Sequence, residues 1–436
     1  MKFAESVIDI PNAFDPNPLN DGELARYYCE ETMCVRTGDK YMSPIDDICD
    51  ACKRPSEHNA FLLLGHKGCG KSTELNHMSA KLREEGYEVF TIECGVDLDL
   101  NNPLYADLLI LMGEALLKIA ERTGCNLSGD LVATVREFWT TELEKCKTIT
   151  DEAEIQVEGG ASAETPGIIA SLLKIFVKIK SDLKFNEENR NIYREKVTRR
   201  AGDWIWTLRS VADKITEKLD GKQPIIIFED LDKLNPEDAW KVFYNYAKTL
   251  TGVPIPVVYT FPIALSYDPR FSALEGFFTA KTLPMIKLED VDGTPYELGY
   301  DMIMEIIEKR TRRELFAENV LKDLISNTGG SLRDLFFAIN SSAQRAVRRK
   351  SEVIEAEDAD RALEQLKTSL TRRIEQRHYK FLADIYAGNR ERIEDREMLL
   401  EMLQANTVLE YNGRRWHNVH PLVVRFLKDQ GLIEHD

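Results

Sequence analysis

A glycine-rich run near residue 70 carries the residue types that bind phosphate. It reads Gly65-His66-Lys67-Gly68-Cys69-Gly70-Lys71-Ser72-Thr73. Glycines allow backbone angles that other residues resist, so successive amides can turn toward one anion. A lysine at this spacing reaches terminal phosphates as a point charge, and the hydroxyl of the following serine suits Mg²⁺. The run therefore predicts a nucleoside triphosphate site to which all nine residues contribute.

A second set of chemical groups follows an apolar run further along the chain. Residues 225–228 are Ile-Ile-Ile-Phe, and Glu229, Asp230, Leu231 and Asp232 come next. Carboxylates at the end of a buried strand lie where a parallel sheet meets its ligand crevice. We expect Glu229 to hold Mg²⁺ with Ser72, directly or through water, and Asp230 to orient the attacking water. If the register of the strand were shifted by one residue, Glu229 and Asp230 would exchange these two roles.

These groups need a sheet to position them, and the hydrophobic pattern predicts one. The predicted elements are strands at 60–64, 87–92, 225–228 and 255–260, a further strand candidate at 283–288, and a helix at 72–85. Strand, loop, helix and strand in this order are typical of an α/β fold with a parallel sheet. The expected fold class is a P-loop NTPase sheet with flanking helices, followed by an α-helical lid and a C-terminal winged-helix module.

Length and composition restrict the class of protein. The chain has 436 residues, 43% of them hydrophobic and 30% charged, which is typical of a globular protein of about three domains. Its net charge of −17 opposes nucleic-acid binding except at a local basic face. The sequence shows neither a basic-then-apolar leader nor about 18 consecutive apolar residues, and its eight cysteines suggest reduced thiols. We expect a cytoplasmic protein without a transmembrane segment.

The chain divides into four segments that differ in their sequence patterns. We predict an irregular N-terminal lead-in (1–58) with one helix near 23–34, and a nucleotide-binding core (59–290) with a connector or insert at about 147–186. A helical lid (291–368) and a C-terminal module (369–436) follow. In the last segment two helices precede a strand, an Asn412-Gly413 turn, a second strand and a final helix. Asn-Gly is a strong hairpin signal, and this order is typical of a winged helix.

Residues 60–365 resemble AAA+ and STAND-type P-loop ATPases, although Glu229 stands where these families usually have aspartate. The resemblance implies ATP and Mg²⁺ as ligands. It also implies that Thr260 occupies the place of a polar sensor for the γ-phosphate or the attacking water. Arg333, after two glycines, resembles the second sensor of replication-initiator ATPases. Arg270 is the arginine-finger candidate, which would require a nucleotide-dependent oligomer; the alternative is a local pair with Asp268.

Three functions remain open at this point. The run from Gly65 to Leu75 is similar to that of ATPases found with bacterial conflict and phage-defence systems, which implies a nucleotide-driven switch controlling a partner protein. The second is a DNA-associated ATPase of the initiator or transposition-regulator type, with Arg414, Arg415 and His417 on phosphates. Acidic residues around this module make DNA the less favoured partner. The third is a nucleotide-binding scaffold that does not hydrolyse ATP.

Two further features have alternative explanations. Cys29, Cys34, Cys49 and Cys52 have a loose spacing that could hold structural zinc, with ordinary thiols as the alternative. His417 and His420 lack an evident third metal ligand. The amphipathic stretch 166–180 carries three lysines, and it is either a core or inter-subunit helix or a helix that docks on an effector or a membrane surface.

Overall fold

The structure is a computed structural model that describes residues 1–54, 59–146, 167–388, 390–391, 393–411 and 416–434. The first half of the predicted connector (147–166), the Asn412-Gly413 turn, and Arg414 with Arg415 lie outside the described residues. Within the described residues, no helix has the length and apolar character needed to cross a membrane.

Five parallel strands of the described chain form one sheet. They are β1 (Ala60–Gly65), β2 (Val89–Glu93), β3 (Ile225–Glu229), β4 (Val257–Pro262) and β5 (Thr279–Thr282). Their order is β2-β3-β4-β1-β5, so each connection must cross over the sheet through other elements. Because all strands run in one direction, their carboxyl ends share one edge. The loop after β1 and the acidic run after β3 both begin at that edge.

The predicted last strand at 283–288 was wrong. The sheet ends with β5, which stops at Thr282. Leu283 still donates its amide to the Leu64 carbonyl at 2.8 Å, but Pro284 has no N–H with which to continue the ladder. The apolar run is nevertheless buried, because Leu283, Met285 and Ile286 pack beneath the sheet and the lid.

Both faces of the sheet are covered. Successive side chains of a strand point to opposite faces. Leu62 and Phe228 contribute to a cluster with the long helices after β2, whereas Leu63 and Ile227 contribute to a second cluster on the other face. This double burial explains why the strands read as continuous apolar runs.

The first 54 residues are ordered helices and turns instead of an irregular lead-in. The helices are α1 (Ile10–Ala13), α2 (Asp21–Tyr27), α3 (Thr32–Thr37) and α4 (Pro44–Cys52). The predicted single helix at 23–34 is broken at Tyr28, whose backbone is extended and whose hydroxyl donates to Glu74 at 2.7 Å. Phe14 packs edge-on against Phe336 in the lid. The N-terminal segment therefore contacts both the sheet's first helix and the lid.

A thick helical layer covers one face of the sheet. Its helices are α6 (Cys94–Asp97), α7 (Tyr105–Arg122), α8 (Gly129–Cys146), α9 (Gly167–Phe185), α10 (Glu187–Arg199), α11 (Ala201–Lys218), α12 (Pro236–Phe243), α13 (Ala247–Leu250) and α14 (Phe271–Leu274), whereas α5 (Lys71–Glu84) packs on the opposite face. Trp139 and Trp204 lie at its centre, with ring centroids 5.0 Å apart. The long charged region after residue 187 is two helices, α10 and α11, because Arg200 leaves the helical conformation.

Helix α9 belongs to this layer, although residues 147–186 were predicted to form a connector or insert. Its apolar face is buried, with Leu172, Phe176 and Leu183 in the core cluster. On its other side Lys180 forms ion pairs with Asp97 at 3.3 Å and with Glu114 at 3.4 Å. The structure therefore favours core packing for this amphipathic helix over docking on a membrane.

The remaining elements of the described chain are helices and one hairpin. The lid helices are α15 (Glu297–Glu308), α16 (Val320–Asn327), α17 (Leu332–Arg348) and α18 (Ala356–Thr371). The elements after them, called here the C-terminal module, are α19 (Tyr379–Tyr386), α20 (Arg396–Gln404), β6 (Val408–Tyr411), β7 (Trp416–Val419) and α21 (Pro421–Asp429). Strands β6 and β7 pair antiparallel. The predicted fold class is confirmed in its architecture: an α/β parallel sheet with flanking helices, a helical lid and a C-terminal module of helices and a hairpin.

The hairpin of the C-terminal module is buried against the rest of the protein. Leu409, Tyr411 and Trp416 join the cluster on the sheet face opposite α7–α11. The Tyr411 hydroxyl donates to the Gly329 carbonyl of the lid at 2.7 Å. Its strands are thus part of the interior, wedged between sheet and lid.

Candidate functional site

The loop from β1 to α5 has the backbone that its glycines predict. Strand β1 is buried along its whole length, and α5 begins at Lys71. Gly68 and Gly70 have φ of 90° and 99°, in the left-handed region that favours glycine. The loop thus passes directly into the amino end of a 14-residue helix. That end carries a partial positive charge and unpaired N–H groups, which makes it suited to an anion.

Lys71 is buried at the centre of this loop. Its ammonium donates to the carbonyls of Gly65 and His66 at 2.8 and 2.9 Å, and it forms an ion pair with Asp232 at 2.9 Å. Burial disfavours both charges, but the pair outweighs burial: the pKa of Lys71 is raised and that of Asp232 is lowered. The lysine is therefore charged, and an acidic counter-ion holds it.

Glu229 ends β3 and lies beside Ser72. Its side chain is almost completely buried. Burial raises the pKa of Glu229 to about 7; a hydrogen bond with Ser72 opposes this shift, and the charges of Asp230 and Asp232 add to it. A hydroxyl and a carboxylate side by side are the oxygen ligands that Mg²⁺ prefers. The residues present therefore fit a magnesium ion at this edge of the sheet.

Asp230 follows in a constrained conformation. Its φ is 69°, and its carboxylate forms an ion pair with Lys233 at 2.6 Å. The side chain lies against Gly95 after β2, where an added Cβ would come within 2.5 Å of its Oδ2. A left-handed backbone is unusual for a residue other than glycine and points to a position fixed by its surroundings.

Thr260, to which the resemblance assigns the place of a polar sensor, lies in β4 and contacts the loop after β3. Its hydroxyl accepts hydrogen bonds from the amides of Leu231 and Asp232 at 3.0 and 3.4 Å. The side chain is buried and does not line the cavity formed by the described residues around Lys71. Thr260 thus holds the loop that carries Asp232, and its contact is with the backbone.

Arg333 is brought to the glycine-rich loop by the lid. It lies in the first turn of α17, where Ser331 caps the helix by accepting from the Asp334 amide. Its own amide donates to the Gly68 carbonyl at 3.3 Å, and a Cβ on Gly68 would be 2.6 Å from the Arg333 Cβ. The lid therefore touches the loop at a place where only glycine fits.

A cavity of about 890 Å³ joins these parts. Its volume is in the range of ligand pockets. The predicted residues that line it are Gly68, Gly70, Lys71, Ser72, Thr73, Glu229, Asp230 and Arg333. Asp232 and Arg36 line it as well. The other predicted loop residues, Gly65, His66, Lys67 and Cys69, lie outside the cavity wall.

Sequence reasoning missed Arg36 and the pairing role of Asp232. Arg36 lies in α3 and is fully buried, and it donates to the carbonyls of Pro284 at 2.6 Å and Cys69 at 2.7 Å. Its Nε has no hydrogen-bond partner among the described residues. Asp232 was visible in the acidic run. No spacing identified Arg36, because it precedes its loop partner Cys69 by 33 positions.

The structure also gives the environments of the arginine-finger candidate Arg270 and of the four candidate zinc-binding cysteines. Arg270 forms an ion pair with Asp268 at 2.7 Å and lies over the Trp240 ring at 4.6 Å. Cys29, Cys49 and Cys52 are buried and Cys34 is exposed, all as free thiols. In the described part of the chain, no three His, Cys, Asp or Glu side chains are grouped so as to hold a metal.

Comparison with known proteins identifies distant structural similarity. No protein-family model matches the chain. No curated protein matches it either. Among solved structures, Cdc6p from Pyrobaculum aerophilum is 13% identical, with 99% of this chain and 100% of that chain covered and a TM-score of 0.39. The ORC2 protein of Aeropyrum pernix is similar in its ADPNP-ADP complexes (11% identity, 99% and 100% covered, TM-score 0.37) and in its ADP form (12%, 100% and 100%, 0.38).

Proposed function

We propose that this chain is a Mg²⁺-dependent ATPase of the AAA+ type that acts as a nucleotide-driven switch. The observation that carries this proposal is the convergence of Lys71, Ser72, Glu229 and Asp230 at one edge of a parallel sheet, in a cavity that Arg333 closes from the lid. A buried cation and a hydroxyl after β1, with two carboxylates at the carboxyl end of β3, are the groups that phosphoryl transfer uses.

Each predicted residue receives a role in this proposal. The loop from Gly65 to Thr73 surrounds the phosphates, and Lys71 contacts the terminal ones. Ser72 and Glu229 would hold Mg²⁺, which when bound neutralises charge on the phosphate oxygens. Asp230 orients the attacking water, and Arg333 bonds the terminal phosphate. Thr260 positions the loop that bears Asp232.

The switch follows from how the site is enclosed. Helix α17 of the lid and α3 of the N-terminal segment both touch the loop, through Arg333 and Arg36. A ligand that changes the conformation of the loop would therefore favour one arrangement of the lid and the N-terminal segment over another. We propose that a partner protein responds to this arrangement, and that the setting is bacterial conflict or phage defence, as the similarity of the Gly65–Leu75 run implies. The division into core, lid and C-terminal module near residues 290 and 368 belongs to the same proposal.

Nucleotide titration with and without Mg²⁺ tests the proposal. The wild-type chain should bind ATP more tightly with Mg²⁺, and Lys71→Ala should weaken binding by roughly 10- to 100-fold, the value of a charge-assisted contact. Lys81→Ala removes a surface lysine from the same helix, where it pairs with Asp46, and should leave binding unchanged. Equal binding with and without Mg²⁺, or equal affinities for both variants, would contradict the assignment.

Hydrolysis is tested separately. Asp230→Asn should lower turnover by about a hundredfold, the usual contribution of a group that handles the proton or water, while leaving ATP binding largely intact. A wild-type chain that binds Mg·ATP and shows no turnover with or without added protein fractions would leave the non-hydrolysing scaffold as the better description.

A further inference from the structure

The outer side of the glycine-rich loop is held by three distant parts of the chain. The Gly68 carbonyl accepts from the Arg333 amide at 3.3 Å, and the Cys69 carbonyl accepts from the Arg36 guanidinium at 2.7 Å. The Lys67 carbonyl accepts from the Asn406 side chain at 3.0 Å. In an anion-binding loop the amides converge on the ligand. Contacts that fix the carbonyls therefore also fix where the amides point.

The contact with the C-terminal module is a continuous chain of hydrogen bonds through His66. The Glu410 amide donates to His66 Nε2 at 2.8 Å, and His66 Nδ1 lies 3.4 Å from Asn406 Oδ1. The Asn406 Nδ2 then donates to the Lys67 carbonyl. Since Nε2 accepts a hydrogen bond, the ring proton is assigned to Nδ1, which donates to Asn406. The C-terminal module thus forms hydrogen bonds with two consecutive loop residues, His66 and Lys67.

The environment keeps this histidine neutral. His66 is 1% exposed, and burial lowers its pKa to about 3; the Asn406 contact opposes the shift, and Lys71 and His417 add to it. A neutral ring can both accept from Glu410 and donate to Asn406, whereas a protonated ring cannot accept. The buried site therefore supports the observed pattern of bonds.

The geometry of Asn406 shows that this contact is built into the fold. Its φ is 57°, in the left-handed region that asparagine tolerates better than most residues but less well than glycine. It lies between α20 and β6, so its position depends on the whole module. The backbone of Asn406 is thus held in an unfavourable conformation while both ends of its carboxamide bond the loop. This combination is typical of a residue that has a function in addition to forming the turn.

We propose that His66 and Asn406 are positioning residues that link the anion-binding shape of the loop to the docking of the C-terminal module. The proposal rests on the proposed function, since it takes nucleotide phosphate as the ligand of the loop. Linkage is reciprocal: if docking raises nucleotide affinity, bound nucleotide strengthens docking by the same factor. The module would then report loop occupancy through the protein, without touching the nucleotide.

Asn406→Gly is the decisive variant. Glycine adopts φ near 57° without strain, so the change removes the carboxamide while relieving the backbone. Nucleotide affinity should fall on the order of tenfold, within the usual range of such couplings. The matched control is Asn418→Ala, which removes a carboxamide from the same C-terminal module, one that bonds Glu289 and not the loop. The control should change affinity less than about twofold, because the hydrogen bond that it removes does not reach the loop.

Hydrogen exchange at the Glu410 amide distinguishes positioning from mere stability. In the wild type and in Asn418→Ala, Mg·ATP should slow exchange at Glu410, whereas in Asn406→Gly or His66→Leu it should slow exchange little. Wild-type nucleotide binding with unchanged affinity in Asn406→Gly, or with no nucleotide effect on Glu410, would overturn this inference and leave the ATPase proposal standing. No nucleotide binding by the wild type would overturn both.

Discussion

At the scale of single residues, the buried Lys71–Asp232 pair is the most consequential contact of the site. Both side chains are less than 10% exposed and their charged atoms are 2.9 Å apart. Asp232 compensates the positive charge of Lys71, which the site needs to bind phosphate. Asp232 therefore also competes with phosphate for Lys71. A buried ion pair contributes little net stability, but breaking it leaves an uncompensated charge.

The first prediction follows from this pair. Asp232→Asn should lower the free energy of unfolding without nucleotide by about 3 kcal/mol, because Lys71 stays buried without its counter-ion. Saturating Mg·ATP should stabilise the variant more than the wild type, since phosphate then supplies the missing negative charge. Chemical denaturation with and without nucleotide measures both effects.

The control for this prediction is a comparable pair at the surface. Asp47→Asn removes the partner of Lys281, and both side chains of that pair are about a third or more exposed. Its cost should stay below about 1 kcal/mol and should not depend on nucleotide. Equal losses for Asp232→Asn and Asp47→Asn would contradict the role given to Asp232.

At the scale of elements, the contact between the loop and α17 depends on a missing side chain. The lid reaches the loop because Gly68 lets the Arg333 backbone approach. Gly330, in the turn before α17, has the same function, because a Cβ there would come within 1.7 Å of the Ile286 carbonyl. Glycines at both points let the lid lie directly on the core.

The second prediction concerns the loop–lid contact. Gly68→Ala should lower nucleotide affinity and cost more stability than backbone strain alone, because the new methyl group meets Arg333 at 2.6 Å in a packed junction. Titration of Mg·ATP and denaturation of the variant measure the two losses. Helix α17 must shift for the methyl group to fit, which also moves the arginine proposed to bond phosphate.

The control variant Gly221→Ala separates backbone strain from steric collision with a neighbouring side chain. Gly221 has the same φ of 90°, with nothing within 4 Å of the added Cβ. It should cost about 1–2 kcal/mol of stability through its left-handed backbone and leave nucleotide binding intact. If Gly68→Ala behaved like Gly221→Ala in both assays, the lid contact would not matter for the site.

At the scale of the whole molecule, charge and packing bear on the choice of partner. The net charge is −17, and β6 and β7 of the C-terminal module are buried against the sheet and lid. A hairpin in this position does not present its strands to a duplex. We therefore expect these strands to make no contact with DNA.

The third prediction is therefore weak or absent DNA binding. Fluorescence anisotropy with a labelled duplex at about 50 mM salt should show no saturable binding, because the acidic surface repels phosphate and no counterions are released. An affinity that falls steeply with salt would contradict this and support the DNA-associated alternative. In that case Arg414→Ala and Arg415→Ala should reduce the salt dependence, by about one unit of slope each.

The sequence by itself determined the local parts of this protein. A phosphate-binding loop is made of consecutive residues, and the apolar run and acidic turn at Glu229 adjoin in the chain, so spacing was enough to predict them. Strands β1 to β4 were predictable for the same reason. Strand β5 was missed, because this edge strand (Thr279–Thr282) is only partly buried and has no apolar run. At 283–288, burial beneath the lid produced an apolar run without a ladder. The catalytic roles of these residues stay predictions.

Only the tertiary structure decided which distant groups surround the loop. Arg36 reaches it from a segment that looked irregular, and Asn406 reaches it across some 340 positions. The hydroxyl of Thr260 bonds a neighbouring backbone, a choice that no local pattern encodes. Such contacts depend on how separate helices and strands pack, and packing brings together side chains whose positions in sequence are unrelated.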